Sequence, residues 1–214
     1  MADGVETRRT LQVEQIPGIE GLRIIKPKVF CDSRGFFSET YNAVELKALG
    51  FDEQFLQDNH SFSSYGVLRG LHSQPHMGKL VYCLSGEIFD VAVDVRKDSP
   101  TFGMWHGVHL DGKSKHAFWI PPGFLHGFQV LSPEGAHVTY KCSAVYDPQT
   151  EYGVDPFDEE IGVSWPIADQ SVIIVSDRDK AHPGLNSLRF TWLRWTHSYV
   201  PGFFDNRAPQ ALRS

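Results

Sequence analysis

The chain has 214 residues, 41% hydrophobic and 21% charged, with a formal net charge of -6, which fits one soluble globular domain with a full core. The acidic surplus excludes a general attraction to nucleic acid or anionic membrane, so an anionic ligand requires a local cluster of arginine and lysine. The longest aliphatic run, Val172–Val175, is far short of the roughly 20 apolar residues that span a bilayer.

The N-terminus, MADGVETRRTLQVEQ, is polar and lacks the apolar segment of a secretory signal. Cys31, Cys83 and Cys142 are an odd set without close metal-type spacing. Free thiols in a reducing, cytoplasmic compartment are therefore expected.

Strand character begins at Leu22–Val29. A helix follows over Ala43–Leu49, with Asn42 as its cap, Glu45 at the capping-box position and Gly50 as its stop. In KLVYCLSGEIFDVAVDVR, Lys79–Arg96, Ser85-Gly86 supplies turn chemistry between two runs. Phe89, Val91, Val93 and Val95 alternate with Asp90, Ala92, Asp94 and Arg96, the period of a strand with one apolar and one more polar face. Short runs recur at Ala117–Ile120, Phe128–Leu131, Val138–Ala144 and Val172–Val175, separated by turns such as PPG and SPEG.

Many short strands with few helices predict an all-β sandwich or barrel, with the jelly roll as the natural candidate. No repeat or linker divides the chain. Residues 1–186, N-terminal arm included, are expected to form one domain. Residues 187–214, rich in Phe190, Trp192, Trp195, Tyr199, Phe203 and Phe204, are read as an extension packed over the domain or a partner subunit.

Four stretches can carry chemistry. In GVLRGLHSQPHMGKLV, Gly66–Val81, the potential cations Arg69, His72 and Lys79 interrupt a run that otherwise reads as buried strand. Arg69 and Lys79 stand at even separation and can share a face, whereas His72 needs a turn or bulge to join them; Gly70 and Gly78 make one reasonable. In IPPGFLHGF, His126 follows a tight PPG turn where the chain re-enters a strand. Pro-x-Gly-x-x-His also occurs in metal-binding cupins, but their His-x-His partner motif is missing here, where His72 and His76 lie four apart.

In VTYKCSAVY, Tyr140 is either packing or, opposite a histidine across a carbonyl substrate, a proton donor. In VSDRD, Asp179 either finishes a strand or orients a histidine.

Taken in order, DSRGFFSE, QDNHSFSSYGVLRGLH, GKLV, GEIFDVAVDVR, SPTFG, IPPGFLHGF, YKC, GVSWP and SDRD run from about Val29 to Pro183. On these segments the chain resembles the dTDP-4-dehydrorhamnose 3,5-epimerase family, cupin-type jelly rolls with a few short peripheral helices that act on a nucleotide-linked 4-keto-6-deoxy sugar. The resemblance implies that His72 is the base beside the sugar ketone and Asp179 its partner. It makes Lys79 the stabiliser of the oxyanion, Tyr140 the proton donor on the opposite face and His126 a substrate contact near the base.

The same resemblance assigns substrate binding to Arg34, Glu39, Gln57, Asn59, Arg69 and Glu151, with Tyr146 a pocket aromatic. Arg178 stands beside Asp179, where bifunctional relatives often have lysine. It implies no cofactor and no metal, a dTDP-linked sugar as ligand, and a homodimer in which N-terminal strands reach the partner's site.

Three features depart from the pattern: a short interval between His72 and Lys79, the arginine at 178, and VDPFDEE, Val154–Glu160, without the tryptophan of many relatives. Enzymes that invert only C3 or only C5 share nearly all the catalytic residues, so single-centre epimerisation stays open. So do a metal-dependent cupin using His72, His76 and His126 and a non-catalytic sugar-nucleotide-binding module.

Overall fold

In the computed structural model, which describes residues 10–188, the chain opens with β1 (Leu11–Gln15), β2 (Arg23–Pro27), β3 (Val29–Asp32), β4 (Gly35–Ser38) and α1 (Ala43–Ala48). There follow β5 (Gln57–Ser63), β6 (Leu68–Ser73), β7 (Lys79–Ser85), β8 (Glu87–Asp94) and β9 (Trp105–Asp111). The last elements are β10 (Ala117–Ile120), β11 (Phe124–Val130), β12 (Ala136–Cys142), β13 (Tyr152–Gly153) and α2 (Asp177–Lys180).

The strands build two packed sheets, one in the order β1-β2-β10-β7-β12-β5 and the other β13-β6-β11-β8-β9, while β3 and β4 form a separate ribbon. Each pairing is antiparallel. This is the all-β jelly-roll barrel expected. No described helix is long and apolar enough to cross a membrane.

Alternation along the strands divides the apolar residues into three layers. Ile24, Val81, Ile88, Phe118, Phe128 and Val138 fill the space between the sheets. Phe89, Val91, Val93 and Leu125 cover the outside of the five-stranded sheet and are themselves covered by Val154, Trp165, Val175 and Leu185 from the later chain. On the outside of the other sheet, Ile25, Leu80 and Trp119 receive Leu46 and Phe51 from α1 and the turn after it. At roughly 25 cal/mol per Å² of apolar surface buried, these layers are the main stabilising term.

The helix forms where its cap predicts. Asn42 Oδ1 accepts the Glu45 backbone N–H at 3.0 Å, but the Glu45 carboxylate does not close a capping box. It instead accepts the Leu11 N–H at 2.7 Å and ties the helix to β1.

Other expectations need correction. Ser85-Gly86 does make a turn, yet β7 and β8 do not pair with each other; the turn carries the chain from one sheet to the other. The alternation in β8 is correct, but both of its faces are buried, and the polar one, with Asp90 and Asp94 fully buried, points into the fold. Val172–Val175 is not a strand. Ile174 makes only a single bridge, to Val67, between a turn in which the Val172 N–H bonds the Asp169 carbonyl and the Ser176 cap of α2. Of the aromatic extension, all but Ser187 and Leu188 lies outside the described residues.

The bulge called for by spacing is present in β6. Arg69 stands opposite Phe128 and His72 opposite His126, so β6 uses three steps where β11 uses two. Gly70 makes this possible, with φ of +132° and its Cα so close to β11 that an added Cβ would lie 2.5 Å from the Gly127 Cα. Only glycine fits both demands.

Two predictions follow from the fold. Gly70→Ala should lower stability by on the order of 3 kcal/mol through strain and overpacking, read as the urea midpoint, and should lose activity even while folded; an unchanged midpoint would show that β6 does not need the bulge. Buried Asp94 accepts hydrogen bonds from Arg96 at 2.7 Å and Ser99 at 2.6 Å. Burial pushes its pKa up, but these partners outweigh burial and hold it at about 2 against an ordinary 3.8. A depressed folded pKa contributes stability above the unfolded value, about 2 kcal/mol here. Asp94→Asn should therefore be less stable than the natural chain at neutral pH, and the gap should close as pH falls from about 4 toward about 2.

Candidate active site

Both sheets contribute to one interior site. From the five-stranded sheet come Arg69 and His72 on β6, His126 on β11 and Asp90 on β8; from the other come Gln57 and Asn59 on β5, Lys79 on β7 and Tyr140 on β12. The loop after β12 and the helix α2 close the rim with Tyr146, Glu151, Arg178 and Asp179.

His72 Nε2 lies 2.9 Å from Asp179 Oδ1, and Asp179 Oδ2 accepts the Gly70 N–H at 3.3 Å. The four-residue helix that presents Asp179 is capped by Ser176, whose Oγ accepts the Asp179 N–H at 3.1 Å. This turn directs Asp179 inward and leaves Arg178 outside it. Burial raises the Asp179 pKa, but the His72 hydrogen bond and charge and the Gly70 N–H bring it below the ordinary carboxylate value. An ionised Asp179 can only accept, so His72 donates Nε2–H and keeps its lone pair on Nδ1.

A second dyad stands beside the first. His126 Nε2 lies 2.6 Å from Asp90 Oδ1, and the other Asp90 oxygen is buried without a hydrogen-bond partner. Burial lowers the His126 pKa; Asp90 opposes the shift, while the charges of Lys79 and His72 add to it. His126 is thereby held as a neutral imidazole that donates to Asp90 through Nε2.

Across the barrel, the ring of Tyr140 meets that of His126 edge to face at 6.4 Å. Burial raises the Tyr140 pKa, and Cys142 adds to this, against the opposing pull of the Asn59 amide and the Arg69 charge. The phenol therefore keeps its proton at neutral pH. The Lys79 ammonium makes no hydrogen bond or ion pair with a described residue; burial lowers its pKa, opposed by Cys142, Glu151 and Asp90. Lys79 stands opposite Cys142 in the β7–β12 register and two residues from Val81 of the inner layer, which puts it on the inward face despite its short interval from His72.

At the rim, Arg69 donates to Ser63 Oγ at 2.9 Å and Gln57 to Asn59 Oδ1 at 2.9 Å. Gln57 Oε1 accepts the Tyr146 N–H at 2.9 Å, and the Tyr146 hydroxyl donates to Glu151 at 3.0 Å. Arg178 pairs with the same Glu151 oxygen. Burial raises the Glu151 pKa, but Arg178 and Tyr146 prevail and hold it low, so Glu151 is ionised.

Eleven of the thirteen predicted residues thus converge. The other two do not. Arg34 lies on the β3–β4 ribbon with its side chain 88% exposed and paired only with Asp32, and Glu39 hydrogen-bonds Thr10 and Asn42 near the start of α1. Nor do His72, His76 and His126 gather as a metal-ligand set among the described residues: His126 Nε2 is committed to Asp90, and the triad of donor atoms that does form is His72, Asp179 and His182.

Asp90 and His182 are the neighbours that sequence reasoning missed. Asp90 carried a usable signal, a carboxylate on the alternating polar face of β8, but its partner depends on the β8–β11 register.

The family model for dTDP-4-dehydrorhamnose 3,5-epimerase matches residues 17–187. A dTDP-4-dehydrorhamnose 3,5-epimerase of Salmonella typhimurium is 48% identical over 177 residues, covering 81% of this chain and 95% of the relative. Another, from Neisseria gonorrhoeae, is 43% identical over 199 residues and 90% of this chain, which spans 60% of that relative's length. The crystal structure of a Legionella pneumophila dTDP-6-deoxy-D-glucose-3,5-epimerase, in complex with dTDP-4-keto-L-rhamnose, superposes with a TM-score of 0.77 at 46% identity over 82% of this chain and 93% of that one. With the matched region reaching across both sheets and the whole interior site, the chain belongs to the dTDP-4-dehydrorhamnose 3,5-epimerase family.

Proposed function

We propose that the chain inverts C3 and C5 of dTDP-4-dehydro-6-deoxy-D-glucose to give dTDP-4-dehydro-L-rhamnose. One observation carries the reading: a base backed by a carboxylate, His72 with Asp179 at 2.9 Å, enters from one sheet, and a protonated phenol, Tyr140, from the sheet opposite. Inversion needs a base and an acid on the two faces of a sugar ring. The Legionella relative's complex with dTDP-4-keto-L-rhamnose supports this ligand class.

The C4 ketone acidifies the hydrogens on C3 and C5. His72 Nδ1 takes one of them, the electron pair moves into an enolate, and the charge on O4 is met by the unpaired ammonium of Lys79. Tyr140 then delivers its proton to the opposite face of the carbon. Solvent takes the proton from His72 and restores the one on Tyr140, after which the second carbon follows the same course. Oxidation state is unchanged, so proton transfer suffices and no redox cofactor is called for. Arg69, joined across a homodimer by Arg34, supplies guanidinium groups for the diphosphate of an anionic ligand in an acidic protein.

Arg34 is read as acting in trans, within a homodimer. Its ribbon forms a two-stranded sheet of its own and exposes Phe36 and Phe37 at 60% and 68%, a surface that a second subunit would cover. All three cysteines are unpaired, which supports a cytoplasmic location.

Proton NMR of the substrate in deuterium oxide tests the chemistry. Solvent deuterium should enter at both C3 and C5, His72→Ala should abolish it, and Tyr140→Phe should lose inversion by at least a hundredfold. Exchange at one carbon would assign a single-centre epimerase, and none at all would leave a binding module. For the dimer, inactive Arg34→Ala and His72→Ala chains should regain activity when mixed, because one site of the mixed dimer then holds both natural residues; no recovery in a mixed dimer verified by sedimentation would place Arg34 outside the partner's site.

A further inference from the structure

We propose that His72, Asp179 and His182 form a binding site for a divalent transition metal of the Zn2+ class, and that occupancy of this site switches the base off. The binding half is independent of the epimerase reading; the switching half rests on it.

The three donor atoms already converge. His72 Nε2 is 2.9 Å and His182 Nε2 3.9 Å from the same oxygen, Asp179 Oδ1, and all three atoms lie within 4.8 Å of one another. Tetrahedral zinc with bonds of about 2.0–2.1 Å to nitrogen and oxygen holds its donors about 3.3 Å apart. Small side-chain adjustments close that difference, and solvent can supply the fourth ligand.

His182 has no other evident task in the site. Its Nε2 is buried without a hydrogen-bond partner, a costly state for a ring nitrogen unless something occupies it. Its ring packs edge to face on His72, with centroids 5.7 Å apart, in a slot that exists because residue 153 is glycine: a Cβ there would lie 2.4 Å from His182 Nε2. The unpartnered nitrogen stands beside a carboxylate oxygen and a second imidazole nitrogen, a donor set suited to zinc, nickel, copper or cobalt rather than to calcium or magnesium.

The switch follows from proton counting. In the metal-free dyad, His72 carries its single proton on Nε2, donated to Asp179, and its basic lone pair on Nδ1. A metal bound at Nε2 needs that lone pair, so the one proton of the neutral ring moves, through solvent, to Nδ1. The ring then has nothing with which to take a proton from carbon, and Asp179 is occupied as a ligand. No net proton, electron or bond to substrate is involved.

The test uses the full chain, stripped with chelator and titrated with Co2+ and Zn2+. Co2+ should give the visible absorption of a four-coordinate site at one equivalent, and Zn2+ should displace it. His182→Gln and His72→Gln should each weaken that site at least tenfold while remaining folded by circular dichroism. Absence of the absorption, or equal affinity in both variants, would overturn the site, whatever the exchange assay shows. In deuterium exchange, Zn2+ should suppress the natural chain reversibly and spare His182→Gln; exchange that continues with the site filled would overturn the switch. A natural chain inactive even without metal would count against the epimerase reading and leave the binding result standing.

Discussion

The contact on which the site depends is backbone against backbone, where Gly70 of β6 meets Gly127 of β11. Each glycine is where it is because the other strand leaves no room: an added Cβ on Gly127 would lie 2.7 Å from the Arg69 carbonyl oxygen and 3.1 Å from the Gly70 Cα. The close approach lets β6 bulge by one residue, and the bulge turns both Arg69 and His72 inward despite their odd separation. Asp179 then finds two partners on the same strand, His72 and the Gly70 N–H. A regular β6 would direct either the arginine or the histidine into the outer apolar layer occupied by Leu68 and Leu71.

Charge is arranged on the same principle of local compensation. The site draws Lys79, Arg69 and Arg178 into a chain with a net charge of -6, and their counter-charges are Asp90, Glu151 and Asp179. Arg178 is spoken for by Glu151, and His72 and His126 are each bound to a carboxylate. Lys79 alone among the site's cations has neither a hydrogen bond nor an ion pair with a described residue. A buried ammonium in that condition is destabilised, which burial's downward pull on its pKa expresses. In the proposed reaction an enolate oxygen would offer it the partner that the resting site withholds, so that stabilisation would appear only as charge develops.

Much of this was legible from residue order. Even and odd spacing in GVLRGLHSQPHMGKLV showed that His72 needs a turn or bulge to join Arg69 and Lys79 on one face, with Gly70 or Gly78 as its place, and Asn42 and Gly50 marked the helix. What depended on register was not. Asp90 could be assigned to the polar face of β8, but whether that face met water or the core turned on which sheet β8 joined, and its pairing with His126 on β11 follows from tertiary placement. Val172–Val175 has the composition of a strand and is confined to one bridge because a turn closes at Val172 and the cap of α2 begins at Ser176. Arg34 and Glu39 carry a family motif, yet Arg34 sits on a ribbon that forms a sheet of its own and Glu39 is held beyond it by Thr10 and Asn42, a separation that no spacing rule reveals.

The two histidine–aspartate pairs show how burial divides roles between groups of identical chemistry. His126 has 7% of its side chain exposed and Asp90 none, whereas His72 retains 22%. Almost fully enclosed, and repelled by the Lys79 charge, His126 stays neutral and hydrogen-bonds Asp90 in the wall of the site. His72 has the same kind of carboxylate behind it but keeps a route to solvent. A base that must unload a proton to water after each inversion requires that route, and one that must not gain a charge is better without it. The difference in exposure, set by the rim position of α2 against the interior position of β8, suits His72 to the proposed role of base and His126 to that of a neighbouring wall.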